Sequence, residues 1–425
     1  MLEGIVFLYT IYTLLRVYIS VMQIGFVNEQ KRKPPVLMSE ARYYVAGNYA
    51  VAKEKVALVE HVAEYLLFLW WAFAGFRWLV SLTGFEGIGA STLFVLGVLA
   101  INALVSLPFA WYRTFKIDKS FGFSQMTPQM FVIDKLKSAA LTLMLGGALI
   151  AALAWIITHI ALWWLWGFVL MMGVVVLINV LYPTLIAPMF NTFTPLKEGD
   201  LKTRIEAMMH AHGLTSDGIF VMDAGKRDSR LNAYFGGLGK AKRVVLFDTL
   251  LEKLNDDELI AVLGHELGHF KHGDMYKNIA LTAVLLFAVF YLLGHLPDTL
   301  FLEMGVPPFA GAKIALMVLL LPLVGFVFTP IMSRLSRHNE FEADRHGAAQ
   351  GGKEHLISAL LKLVSENKAF PKAHPLTIFF YHTHPPILER LEALGYKPEE
   401  GDASLKEDTL PREGIFAYID RLEDR

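Results

Sequence analysis

The sequence predicts a predominantly α-helical, multi-pass membrane protein, with seven transmembrane helices carrying a polar α+β unit on the cytoplasmic side. Two observations lead there. Of 425 residues, 54% are hydrophobic and 19% charged, and the mean hydropathy is +0.43, too apolar for an ordinary soluble domain. A hydrocarbon core takes roughly 20 helical residues to cross. Seven apolar stretches of that order lie near 4–26, 60–83, 91–112, 138–158, 161–187, 278–296 and 312–333.

The first stretch carries Glu3 where a secretory leader has basic residues, and its positive charges follow the apolar run, so it reads as a retained span. Lys31, Arg32, Lys33, Arg42, Lys53 and Lys55 follow span one, and Arg113, Lys116, Lys119, Lys135 and Lys137 follow span three. The connections 84–90 and 297–311 hold no Lys or Arg. The excess of positive charge on cytoplasmic loops then puts the N-terminus outside and the C-terminus in the cytoplasm. Spans one to five occupy 1–187. The hairpin 278–333 separates two polar regions, 188–277 and 334–425, which are expected to form one catalytic unit. Within the first, Leu196–His212 has helical character, while Gly218–Met222 and Arg243–Phe247 are β-like runs joined by a Gly-rich connection. The second begins helical and ends in a polar tail.

With no cysteine, any metal must be held by His, Asp or Glu. A net charge of -1 and no basic run with interleaved aromatics argue against nucleic-acid binding. The stretch LGHELGHF at 263–270 is where metal chemistry concentrates. Asn255 is a candidate N-cap with Glu258 in capping-box position. On the helix that follows, His265 and His269 fall one turn apart on one face, so both imidazoles can reach one ion. This H-E-x-x-H arrangement binds zinc through two neutral imidazoles and sets Glu266 beside a bound water.

A catalytic site needs a third protein ligand. His272 lies about 10 Å along the helix axis from His265, too far to share its ion well. The stretch SRHNEFEADRHG, 336–347, offers Glu340 and Asp344 four residues apart on one face. One of the two carboxylates can bind metal while the other orients a ligand histidine. The competing reading is a solvated acidic helix paired to Arg337 or Arg345.

LGHELGH, the hydrophobic hairpin after it, SRHNEFEAD at 336–344 and HPPILERLEAL at 384–394 together resemble the type I CAAX prenyl endopeptidases, integral-membrane zinc metalloproteases. RLNAYFGGLGKAKRVVLFDTLL at 230–251 and FGFSQMTP at 121–128 are similar as well. The resemblance implies a gluzincin-like cytoplasmic domain with one zinc ion per chain, held by His265, His269 and Glu340. Glu266 is then the general base, and Asp344 orients a ligand histidine. His384 stabilises the developing oxyanion, and Arg390 is a structural or substrate-orienting cation. Asn232 and Tyr234 belong to a strand against which an extended substrate pairs. The resemblance further implies seven helices around a large chamber, and a peptide or prenylated membrane protein as substrate.

Few residues separate His269 from span six or Glu340 from span seven, which sets the metal near the membrane face and makes membrane-associated or lipidated peptides the expected substrates. An intramembrane protease with the motif inside a span is disfavoured by the charges at 255–258 and 271–274. The alternatives in function are a heat-shock-type membrane zinc protease and a nonproteolytic transporter or scaffold. The ending IDRLEDR lacks an endoplasmic-reticulum retention tail, which favours a bacterial inner membrane. Arg16 and Arg77 fall in apolar spans, where each either lines a polar interior or extends to the interface.

Overall fold

The structure is a computed structural model that describes residues 1–236 and 241–397. The Gly-rich connection at 237–240 and the polar tail at 398–425 lie outside the described residues. Among those described, seven helices are long and apolar enough to cross a membrane. The first five are α1 (Leu2–Gln30), α2 (Glu40–Thr83), α3 (Gly87–Asp118), α4 (Pro128–His159) and α5 (Trp163–Met189). A polar segment follows with β1 (Phe193–Pro195), α6 (Asp200–Ala211), β2 (Thr215–Met222), β3 (Ala233–Gly236), β4 (Ala241–Phe247), α7 (Asp248–Lys253) and α8 (Asp256–Lys271). The remaining helices are α9 (Asp274–Gly294), α10 (Thr299–Glu303), α11 (Ala310–Gly351), α12 (Lys353–Glu366), α13 (Pro375–Tyr381) and α14 (Ile387–Ala393). Spans six and seven are α9 and α11.

Several spanning helices outrun their apolar stretches because capped, polar sequence continues them. The Ser39 hydroxyl accepts from the Arg42 N–H at the start of α2, and Thr127 does the same for Met130 ahead of Pro128 in α4. At 42 residues α11 is about 63 Å long, roughly twice a hydrocarbon core, and it runs without a break from span seven into the polar region. π-helical turns interrupt α2 at Trp71–Gly75, α3 at Arg113–Asp118, α4 at Thr142–Gly146 and α5 at Tyr182–Ile186.

Trp71, Phe76, Phe94, Phe290 and Phe301 are fully buried between spans, whereas Leu8, Leu14, Leu143, Met144 and Leu177 point outward, as side chains facing lipid do. Between α1, α2, α3 and α11 lies a cavity of about 370 Å³ with Arg16 and Glu64 among its lining residues. Arg16 lines that cavity and pairs there with Glu64 at 2.7 Å. Arg77 instead donates to the Phe73 carbonyl at 2.5 Å on the exposed surface.

The sheet has the order β1-β2-β4-β3, with β2 and β4 parallel and both outer pairs antiparallel. The two β-like runs of the sequence are thus the central strands. Ile205 of α6, Leu246 of β4, Leu250 of α7 and Leu259, Leu263 and Leu267 of α8 form one buried cluster, which seats the sheet on α8. The basic loops dock at this end of the molecule. Arg227 pairs with Asp134 at 2.9 Å, Arg230 with Asp118 at 2.8 Å, and Ser124 of the FGFSQMTP loop bridges to Asp228.

The capping box at the head of α8 forms as its spacing predicts, with reciprocal bonds of 2.9 Å between Asn255 and Glu258. Glu258 is also buried, and accepts from Ser358 at 2.6 Å and Lys362 at 2.7 Å on α12. Burial alone would raise its carboxyl, but the bonds from Lys362, Ser358 and Asn255 hold it below the ordinary range. Its contribution to stability is therefore in place above the unfolded value of about 4.3 and is lost as pH falls through the folded one. Glu258→Ala is expected to cost about 2–4 kcal/mol at neutral pH by removing the carboxylate half of the capping box, which bonds the Asn255 N–H, and the partner of Ser358 and Lys362, while the Asn255 side-chain cap itself remains. Thermal melting in detergent at neutral and acid pH checks this, because the gap between wild type and variant narrows in acid.

Candidate metal centre

Four glycines let α8 and α11 approach backbone to backbone. Gly264 and Gly268 stand four apart on α8, as Gly347 and Gly351 do on α11. A Cβ on Gly268 would lie 2.9 Å from the Ala343 Cα, and one on Gly347 would lie 2.8 Å from the Ala261 carbonyl and 2.9 Å from the His265 nitrogen. Small residues at this spacing remove the side chains that would hold two helices apart. The contact carries Glu340 of α11 to the imidazoles of α8.

The His265 and His269 Nε2 atoms are 3.2 Å apart. Glu340 Oε1 lies 3.2 Å from His269 Nε2, and Oε2 lies 3.6 Å from His265 Nε2. Behind each ring stands a carboxylate: His265 Nδ1 is 2.9 Å from Asp344 Oδ1, and His269 Nδ1 is 2.9 Å from Asp274 Oδ2. Such partners hold the proton on Nδ1 and aim the Nε2 lone pairs at a common point. Two lone pairs and a buried carboxylate facing one another are a donor set that a cation satisfies. A borderline ion such as zinc fits it.

Glu340 and Asp344 are each only 2% exposed, so the segment is not a solvated acidic helix. Neither pairs with the arginines of its own helix. Arg337 donates to the Ile378 and His382 carbonyls at 2.6 and 2.7 Å, and Arg345 pairs with Glu342. The counter-charge is Arg390 of α14, 9% exposed, which donates to Asp344 at 2.8 and 2.6 Å and lies 3.2 Å from Glu340. His384 sits on the rim with its side chain 64% exposed and Nδ1 2.8 Å from Glu340 Oε1. Pro385 and Pro386 precede the first turn of α14 and do not belong to it, because Pro386 is its N-cap.

Glu266 is partly exposed beside His265, and no ion pair among the described residues restrains it. Burial pushes its carboxyl up, the direction that suits a base working near neutral pH. Among the described residues β3 is an edge strand, paired only with β4. The Asn232 side chain is exposed, and its oxygen accepts from the adjacent Ala233 N–H at 2.9 Å. The Tyr234 ring packs with Met222, Val245 and Phe247, whereas Ala233 and Phe235 join the cluster shared with α8. Sequence reasoning missed Asp274, whose place behind His269 depends on the turn between α8 and α9. It missed the glycines too, although their spacing was there to be read. Asp344→Asn is expected to weaken metal binding by about 10- to 100-fold; competition with a chelator of known affinity measures it.

Two family profiles cover most of the chain. One, described as peptidase family M48, matches residues 195–397, and one described as CAAX prenyl protease N-terminal, five membrane helices, matches 23–192. CAAX prenyl protease 1 of Saccharomyces cerevisiae is 31% identical over 420 residues, covering 90% of this chain and 92% of that protein. The CAAX prenyl protease 1 homolog of Arabidopsis thaliana is 35% identical, covering 73% and 74%, and that of Homo sapiens 34%, covering 73% and 76%. The crystal structure of S. mikatae Ste24p superposes with a TM-score of 0.80 at 28% identity, covering 92% of this chain and 97% of that one.

Proposed function

The chain belongs to peptidase family M48, in its CAAX prenyl protease branch, and from that premise we propose that it cleaves prenylated CAAX-type peptides with a single zinc ion held by His265, His269 and Glu340. It is a membrane metalloendopeptidase. The comparisons do not favour a heat-shock-type protease, a transporter or a scaffold. The observation that carries the zinc reading is the convergence of His265, His269 and Glu340, with ligand atoms within 4.8 Å of one another and a carboxylate behind each imidazole.

Zinc in that position supplies a Lewis acid for the scissile carbonyl and brings the pKa of a water toward about 7. Glu266 takes the proton of the attacking water and passes it to the leaving amine. His384, exposed on the rim, donates an N–H to the developing oxyanion. Asp344 orients His265. Of the two roles open to Arg390, its buried contacts with both carboxylates favour the structural one. Asn232, just ahead of β3, and Tyr234 within it belong to the strand along whose outer edge an extended substrate lies as an added strand.

The catalytic end faces the cytoplasm, a reading supported by the basic loops docked beside it. The eukaryotic relatives support the endoplasmic reticulum over the bacterial inner membrane expected from the C-terminal sequence. Mass spectrometry of products from farnesylated and unprenylated versions of one peptide tests the substrate. Faster cleavage of the farnesylated version, at the bond after the prenylated cysteine, is expected; equal rates on the two overturn the lipid requirement.

A further inference from the structure

A second group of three histidines gathers where α6, α8 and α11 meet. His212 follows the last turn of α6, His272 caps the C-terminus of α8, and His346 lies on α11. The ring centres of His212 and His346 are 5.0 Å apart and those of His272 and His346 6.3 Å. In the catalytic pair, His265 and His269, the same measure is 4.8 Å. None of the three is needed for the chemistry described above.

The nitrogens of this group are poorly satisfied. His346 is 8% exposed, and its Nε2, like the Nδ1 of His272, is buried without a hydrogen-bond partner. A buried polar atom left unpaired is costly, so two in one cluster call for an explanation. His212 Nδ1 lies 2.9 Å from the Met208 carbonyl, which makes that nitrogen the N–H and frees the lone pair on Nε2. No carboxylate pairs with these rings among the described residues, and burial pushes the His346 imidazole down, toward its neutral, metal-binding form. Two imidazoles on one tetrahedral ion, at about 2.0–2.1 Å from nitrogen to metal, have ring centres roughly 5 Å apart. His212 and His346 already stand at that spacing; the His272 ring lies farther off, so the three nitrogens converge on one ion only when the partly exposed His272 side chain turns toward the pair.

We propose that His212, His272 and His346 form a second metal site, taking zinc or another borderline divalent ion in preference to Mg²⁺ or Ca²⁺. The ion joins the C-terminal ends of α6 and α8 to α11, and so braces the end of α8 that carries His269. This proposal is independent of the catalytic reading, because each site is removed by its own substitutions.

The test is zinc stoichiometry by elemental analysis on the full-length, tag-free protein, stripped with a chelator and re-equilibrated with zinc alone. Wild type is expected to hold two ions per chain. His346→Phe and the double variant His265→Ala/His269→Ala should each hold one, and their combination none. Should His346→Phe fail to fold, His212→Gln serves in its place and lowers affinity for the second ion at least tenfold. One ion in wild type, or a second ion retained at full affinity without His346 or His212, overturns the site. A water filling the cluster gives that same negative result.

Discussion

Glu266→Gln is expected to bring cleavage down by about 10²- to 10⁴-fold while zinc at the catalytic centre stays bound. The separation of the two effects follows from the geometry. Glu266 makes no ion pair with the ligand set, whereas His265, His269 and Glu340 face one another within 3.2–3.6 Å. The amide keeps the volume and polarity of the side chain but cannot accept the water's proton, so the binding of substrate should change little and the chemical step should bear the loss. His265→Ala differs in kind: it takes one nitrogen from the ion and leaves Asp344 without its imidazole, so metal and activity go together. Elemental analysis beside single-turnover kinetics separates the cases. Normal turnover in Glu266→Gln would remove the glutamate from the mechanism.

The other large effect comes from a residue with no side chain. Gly347→Leu puts a branched side chain where even a Cβ lies 2.8 Å from the Ala261 carbonyl and 2.9 Å from the His265 nitrogen. Both neighbours are helix backbone and cannot turn aside, so α8 and α11 must separate. Overpacking of this kind costs about 3 kcal/mol or more. Separation also draws Glu340 away from the imidazoles, so zinc content and cleavage are expected to fall together with the melting temperature. Gly325→Leu on the same helix is the control, since a Cβ there meets nothing within 4 Å. Full zinc occupancy in Gly347→Leu would show that close helix packing does not set the centre.

The spans, the strands β2 and β4 and the capping box were legible because each rests on local pattern: apolar length, β-branched runs and a polar residue three positions before its partner. H-E-x-x-H was legible for the same reason, since helical periodicity alone sets His265 beside His269. Residues whose meaning depends on a distant partner were harder to read. Glu340 and Asp344 are four apart, as in an ordinary surface pair, and the arginine that neutralises them, Arg390, is 46 residues from Asp344. Arg16 posed the same difficulty, because its partner Glu64 belongs to another span. The continuity of α11 was hidden by composition: hydropathy changes sharply near residue 333, but the backbone hydrogen bonds do not, and the helix passes through Pro322 and Pro330 without ending.

That unbroken rod makes the bilayer part of the active site's mechanics. Glu340 stands about 25 Å along α11 from the middle of the apolar stretch, so a tilt of roughly 5° displaces it by about 2 Å relative to α8. Helices answer a thinner or thicker hydrocarbon layer by tilting. A change in lipid thickness that tilted α11 would therefore shift the Glu340 carboxylate relative to the imidazoles of α8.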